Sequence, residues 1–165
     1  MVPKSRLEGK IAIITGSASG LGKATAHEFV QHGAQVIIAD NDTQLGPKVA
    51  KELGHSAEYV ECDVTVEAQV EAAVNFAITN YGKLDIMYNN AGITGPVIPP
   101  SITELDLNEF EKVMRINVTG VIAGIYYLKR KYQKENRKQK HKKKYGMTKP
   151  KFMLNKFKIT FNLKL

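Results

Sequence analysis

The sequence holds a single cysteine, Cys62, among 165 residues, so no intrachain disulfide can form and a disulfide-stapled secreted scaffold is excluded. Cys62 itself reads as a small buried hydrophobe at a strand end. No apolar run approaches the length that spans a bilayer, and the opening MVPKSRLEGK lacks the apolar stretch of a signal peptide. A soluble cytoplasmic chain with no membrane partner and no metal centre is therefore expected. The last 41 residues contain no Ala, Val, Ser or Asp, and no serine at all follows Ser101. That loss of ordinary residue types begins abruptly after Gly124.

The net charge of +8 divides at the same point. Residues 1–124 carry 9 Lys+Arg against 15 Asp+Glu, a net of −6, whereas residues 125–165 carry 15 against 1, a net of +14. The basic character thus belongs wholly to the tail, and a nucleic-acid partner is not the expected one. With 43% apolar residues the chain can bury one real core. The expected organisation is one domain over 7–124 followed by a Lys-rich tail over 125–165, either a solvated helix extension or a disordered run.

Within the first part, strands alternate with helices. Ile11 to Ile14 has the continuous apolar character of a buried parallel strand, and a helix follows from about Gly20 to His32, stopped by Gly33. Val36 to Ala39, ending at Asp40, is a second strand; Thr43 to Leu53 a second helix closed by Gly54; Glu58 to Cys62 a third strand. Val66 to Asn80 is a third helix, stopped before Gly82, and Leu84 to Tyr88 a fourth strand. Such a βαβαβαβ order calls for a doubly wound α/β fold with a parallel sheet in the order 3-2-1-4. Asp106 and Glu109 resemble a capping box, and Phe110, Val113, Met114, Val118, Val121 and Ile122 keep helical spacing, giving the next helix a strong apolar face. Gly120 and Gly124 are spaced for close packing against it.

The sharpest motif is Thr15-Gly16-Ser17-Ala18-Ser19-Gly20-Leu21-Gly22, between the first strand and the first helix. Gly16 permits a tight turn, Gly20 lets backbone approach a pyrophosphate, and Gly22 allows close packing of helix on strand, while the helix N-terminus offers free N–H groups to an anion. Asp40 ends the second strand eighteen residues after Gly22, where a carboxylate accepts hydrogen bonds from both hydroxyls of a ribose. With no Arg or Lys in the loop, that carboxylate favours NAD over NADP by repelling a 2′-phosphate.

Together these residues make the chain similar to the N-terminal part of a classical short-chain dehydrogenase/reductase, of the plant-type NAD-dependent alcohol dehydrogenase subgroup. The resemblance rests on the TGxxxGxG loop with Ser19 and Leu21, on Asp40, on Asp63-Val64 after the third strand and on Asn89-Asn90-Ala91-Gly92 after the fourth, and runs from about Leu7 to Gly124. It implies a Rossmann-like fold and NAD as cofactor. It further implies that Asp63 contacts the adenine amino group, and that Asn90, Ala91 and Gly92 pack along the cofactor. Asn117, in INVTG, matches the asparagine of a catalytic Asn-Ser-Tyr-Lys set, which bonds a backbone carbonyl and steadies a proton relay. The helix over 106–125 resembles the family's oligomer-forming helix, so a homo-oligomer is implied. The implied reaction is hydride transfer between NAD(H) and a secondary alcohol or ketone.

Beyond Gly124 the family pattern stops. No serine is present for the catalytic position, and Tyr145 to Lys149 spells YxxxK in a stretch where Gly146 and Pro150 oppose a helix. Thirteen lysines among 41 residues make such a match ordinary. The change of alphabet is that of a retained intron or frame error, so the expected chain is a truncated dehydrogenase with impaired catalysis. Two other readings stay open: a non-catalytic NAD-binding or partner-binding fragment, and an anion-binding protein working through the tail. Phe157, Ile159, Phe161 and Leu163 alternate with polar residues, a pattern that can form a half-buried strand on the open edge of the fourth.

Overall fold

The computed structural model describes residues 5–96, 100–144 and 158–161, the stretches 135–144 and 158–161 by backbone course. Five parallel strands form one sheet: β1 (Ile11–Thr15), β2 (Gln35–Asp40), β3 (Ala57–Glu61), β4 (Ile86–Asn89) and β5 (Lys158–Phe161), in the order β3-β2-β1-β4-β5. The expected 3-2-1-4 core is present, with a fifth strand added at its edge. Pairing is in parallel register, Ile13 opposite Ile37 and Met87, and Met87 opposite Ile159.

Both faces of the sheet are buried, which is why β1 and β2 read as unbroken apolar runs. Ile13, Ile37, Ala39 and Met87 face α3 (Glu67–Tyr81) and α5 (Gly120–Lys144). Ile14, Val36 and Ile38 face the opposite layer, α1 (Gly20–Gln31) and α2 (Leu45–Leu53). Helix ends follow local chemistry. Gly33, at φ +85°, turns the chain out of α1 as its N–H donates to Val30 O at 2.9 Å. Helix α2 is regular from Leu45, and the turn that leads into it is capped by Asp42, whose carboxylate takes the N–H groups of Gln44 and Leu45 at 2.9 and 2.7 Å and whose carbonyl takes the Gly46 N–H at 3.0 Å, so the helical course starts at Thr43 as expected.

Strand β4 likewise starts at Ile86, two residues later than the apolar run suggests. The preceding Asp85 is buried: its Oδ2 accepts the Ile11 N–H at 3.0 Å and Lys83 Nζ at 2.8 Å, pinning the start of β4 to the start of β1. Helix α4 (Leu107–Met114) opens with the Asp106 carboxylate accepting the Asn108 N–H at 2.9 Å, while Glu109 pairs with Lys112 at 3.6 Å instead of completing the capping box.

A single π-turn, Arg115–Thr119, joins α4 to α5. Of the apolar face expected here, Phe110, Met114, Val118 and Ile122 lie on the surface, 37–58% exposed and in line with exposed Tyr126, while Val113 and Val121 are half-buried. The face that meets the core is instead Ala123, Tyr127, Leu128 and Tyr132, all buried. Helix α5 therefore passes through Gly124 without a break, and against the expectation of a solvated or disordered tail from residue 125, Tyr127, Leu128 and Tyr132 complete the core between α3 and β4. Gly120 and Gly124 are points of close approach. A Cβ at Gly120 would lie 2.8 Å from Val64 Cγ2, and one at Gly124 would lie 2.3 Å from Asn89 Oδ1. Tyr132 donates its hydroxyl to Leu84 O, and Tyr127 donates to Glu67 Oε2 at 2.8 Å, tying α5 to the strand and helix beneath it. Among the described residues no helix is long and apolar enough to cross a membrane.

Candidate functional site

At the C-terminal ends of the strands, where the chain order reverses between β1 and β4, an open cleft is lined by Gly16, Ser19, Gly20, Leu21, Asp40, Asn41, Cys62, Asp63, Val64, Asn90, Ala91, Gly92, Ile93 and Ile116. Crevices at such a switch point are where doubly wound sheets bind ligands. Four of its five stretches meet here because β1, β2, β3 and β4 each deliver the following loop to the same edge, and the fifth, Ile116, comes from the π-turn.

The floor is built from backbone. Gly16 adopts φ +65°, and a Cβ there would lie 2.8 Å from Ala91 Cα; a Cβ at Gly22 would lie 2.1 Å from Gly16 O. Only hydrogen at both positions lets the loop, α1 and the 90–91 segment close on one another. The amide of Asn90 fastens this contact, donating to Thr15 O and Gly16 O at 3.0 Å each. Thr15 Oγ1 in turn accepts the N–H groups of Asn90 and Ala91, both at 3.1 Å. Asn90 Oδ1, buried, has no hydrogen-bond partner. An acceptor left in this state at a cleft wall fits a site that receives a donor.

The mouth of α1 is polar in a specific sense. Ser19 occupies the N-cap position without a side-chain cap, and no acidic residue stands in the first turn. The first backbone N–H groups of α1 are therefore left to a ligand, as an anion site at a helix N-terminus requires. Asp40 stands across from this turn, 8% exposed. Its Oδ2 accepts the Ala18 N–H at 2.8 Å and its Oδ1 the Asp42 N–H at 3.0 Å, which fixes the carboxylate and leaves each oxygen a further lone pair. Asp63 Oδ1 accepts the N–H and the hydroxyl of Thr65, each at 2.8 Å, and its own N–H donates to Gln69 Oε1 at 2.6 Å. Among the described residues no Lys or Arg lines the cleft.

Two of the residues singled out from sequence stand behind the lining. Gly22 is buried beneath Gly16. Asn117, in the π-turn, grips the backbone of Ile93 at two points: its Nδ2 donates to Ile93 O at 2.8 Å and its Oδ1 accepts Ile93 N–H at 2.9 Å. The wider turn brings this amide out of the helix toward the segment after Gly92, where a Cβ would lie 3.2 Å from Asn117 Oδ1. The remaining expected residues, Gly16, Ser19, Gly20, Leu21, Asp40, Asp63, Val64, Asn90, Ala91 and Gly92, are brought together in the cleft. Sequence reading missed Asn41, Ile93 and Ile116 as lining residues, and gave Cys62 only a core role. Burial pushes the Cys62 thiol up to about 12, with Asp63 and Asp40 adding to the rise, so it stays protonated and unreactive. Tyr145 and Lys149 lie outside the described residues. Among the described residues no cluster of His, Cys, Asp and Glu could hold a metal.

The family described as short chain dehydrogenase matches residues 10–139. Borneol dehydrogenase, mitochondrial, from Lavandula x intermedia is 50% identical over 119 residues, 72% of this chain and 45% of that protein. Secoisolariciresinol dehydrogenase from Forsythia intermedia is 51% identical over 117 residues, 70% of this chain and 42% of that protein. Zerumbone synthase from Zingiber zerumbet is 49% identical over 76% of this chain and 47% of that protein. The chain thus spans about half the length of the curated relatives it matches. A solved structure of 3-ketoacyl-(acyl-carrier-protein) reductase from Brucella melitensis, complexed with NADH, superposes with a TM-score of 0.68 at 38% identity, covering 86% of this chain and 54% of that one.

Proposed function

The chain belongs to the short-chain dehydrogenase family, and from that premise we propose that its cleft holds NAD(H) for hydride transfer with a secondary alcohol or ketone. The observation that carries the reading is Asp40, a fixed carboxylate facing an uncapped helix N-terminus in a cleft with no cation among its described lining residues. Asp40 would accept the two hydroxyls of the adenosine ribose, and its charge would repel a 2′-phosphate. The free N–H groups of Gly20 and Leu21 would take the pyrophosphate, and Asp63 the adenine amino group. When bound, the nicotinamide supplies the hydride.

The same chain's contribution to proton movement is narrower. Asn117 holds the Ile93 backbone and so shapes the wall where a relay would run. A tyrosine of ordinary pKa near 10 serves as acid and base only beside a cation that favours its phenolate. The described tyrosines with shifted values move the other way. Tyr127 is raised chiefly by the hydrogen bond its hydroxyl donates to the Glu67 carboxylate, and Tyr81 is pushed up to about 12 by burial and Glu58. We therefore assign to these residues the cofactor-holding half of the reaction, with weak turnover beside full NADH binding. The exposed row from Phe110 to Tyr126 is the face proposed for a second copy of the chain.

The test is titration of the protein with NADH and NADPH, followed by nicotinamide fluorescence. NADH is expected to bind at least about tenfold more tightly than NADPH, since one unpaired like-charge contact is worth that factor or more. Equal affinity for the two, or binding of neither, overturns the assignment of Asp40.

A further inference from the structure

Between α3 and α5, on the flank of the molecule, lies a second cleft that shares no residue with the first. Glu71 and Asn75 contribute from α3, and Tyr127, Arg130, Lys131 and Lys134 from α5. Three cations and one carboxylate thus line one concavity, a surplus of two positive charges among the lining residues, with the Glu67 carboxylate engaged by the Tyr127 hydroxyl beside it. Among the described residues none of the three is in an ion pair.

Two of the cations are already positioned. Lys131 Nζ donates to Asn75 Oδ1 at 2.8 Å, a neutral acceptor that orients the ammonium without cancelling its charge. The Arg130 guanidinium sits 6.0 Å from the ring centroids of both Tyr126 and Tyr127, a contact that steadies it and leaves its N–H fork open. Lys134 follows Arg130 by four residues and so stands one helical turn along the same face. The Tyr127 hydroxyl is engaged by Glu67, so this ring acts as a wall.

We propose that this cleft binds a phosphate group of a small anionic ligand. A phosphate dianion matches the surplus charge, and its three terminal oxygens can take bonds from Arg130, Lys131 and Lys134 together, whereas a carboxylate has only two oxygens to share among them. Preset cations also lower the ordering cost of binding. The strongly basic remainder of α5 raises the local concentration of any such anion but is not the site itself.

The probe is inorganic pyrophosphate, titrated into the isotopically labelled full chain and followed residue by residue by amide NMR, because the glycine loop of the first cleft can bind the same probe. Saturable shifts are expected over 71–75 and 127–134. Arg130→Gln with Lys134→Gln alters two exposed side chains, and should weaken those shifts by about tenfold or more while leaving any response of Gly20 to Gly22 unchanged. Lys138→Gln with Lys142→Gln removes the same charge further along α5 and should change the affinity by no more than about twofold. Equal losses in both double variants would show an undirected field of the helix. The proposal is equally overturned if the 71–75 amides do not move, or if a short single-stranded oligonucleotide shifts residues 135–144 in preference to the cleft.

Discussion

Replacing Gly22 by alanine sets two effects of opposite sign against each other. Alanine is the better helix former by about 1 kcal/mol, and Gly22 lies in the first turn of α1, so local propensity alone predicts a gain. Yet the new Cβ would stand 2.1 Å from Gly16 O and 2.6 Å from Asn90 Nδ2, where 3.0 Å is the practical floor, so the loop must open by roughly 1 Å. Overpacking of this kind costs about 1–3 kcal/mol, and losing one Asn90 bond to the loop adds about 0.5–1.5 kcal/mol. The net expectation is a loss of about 0.5–3.5 kcal/mol, read as an earlier urea midpoint by circular dichroism, with NADH affinity weakened at least about tenfold. Gly20→Ala is the reference: nothing lies within 4 Å of a Cβ there, and only its φ of +52° is penalised, at about 1–2 kcal/mol. If Gly22→Ala proves as stable as the parent while Gly20→Ala does not, the packing argument for the loop is wrong.

Leu128→Ala, at a fully buried position beyond the sequence boundary, should cost about 2–5 kcal/mol in chemical unfolding; a change under about 0.5 kcal/mol would mean that α5 does not pack as described. Asn117→Ala removes both bonds to Ile93 and should lower stability by about 1–3 kcal/mol, with faster amide exchange at Ile93 as the specific sign. The raised thiol value of Cys62 makes stability complete below about pH 9 and lost as pH climbs toward 12, by up to about 1.4 kcal/mol per pH unit. Cys62→Ala should flatten that alkaline slope, and an unchanged slope would assign it to the tyrosines instead.

The sheet was legible because parallel strands covered on both faces must be apolar throughout, and β1 and β2 are. The glycine loop and Asp40 were legible because their spacing reports a turn and a strand end. What sequence could not supply was the sense of the helix after Asp106. Its apolar residues count equally toward burial or exposure, and only the packing of Gly120 and Gly124 against Val64 and Asn89 decides which side turns inward. Tyr127, Leu128 and Tyr132 do keep helical spacing with Ala123, but they are interleaved with lysines and arginine, and the charge count hid them. Ile93 and Ile116 enter the cleft wall for a similar reason: a side chain of Asn117 pulls their segments together across twenty-four residues of sequence, a distance over which periodicity is silent.

The π-turn at Arg115–Thr119 also bears on which changes of length this chain can absorb. Phe110, Met114, Val118, Ile122 and Tyr126 follow one another in steps of four, and in a regular helix each such step overshoots a turn by about 40°. The row stays on one exposed side because the wide turn stores one surplus residue. Deleting a residue within 115–119 would let that turn close to ordinary α geometry with α4 and α5 still in phase. The same deletion between Gly120 and Leu128 would swing the residues before it by about 100° against Leu128 and Tyr132, tearing the exposed row from the buried one. A frame of one residue is thus held in reserve at the turn, and the grip of Asn117 on Ile93 is what the molecule gains by keeping it.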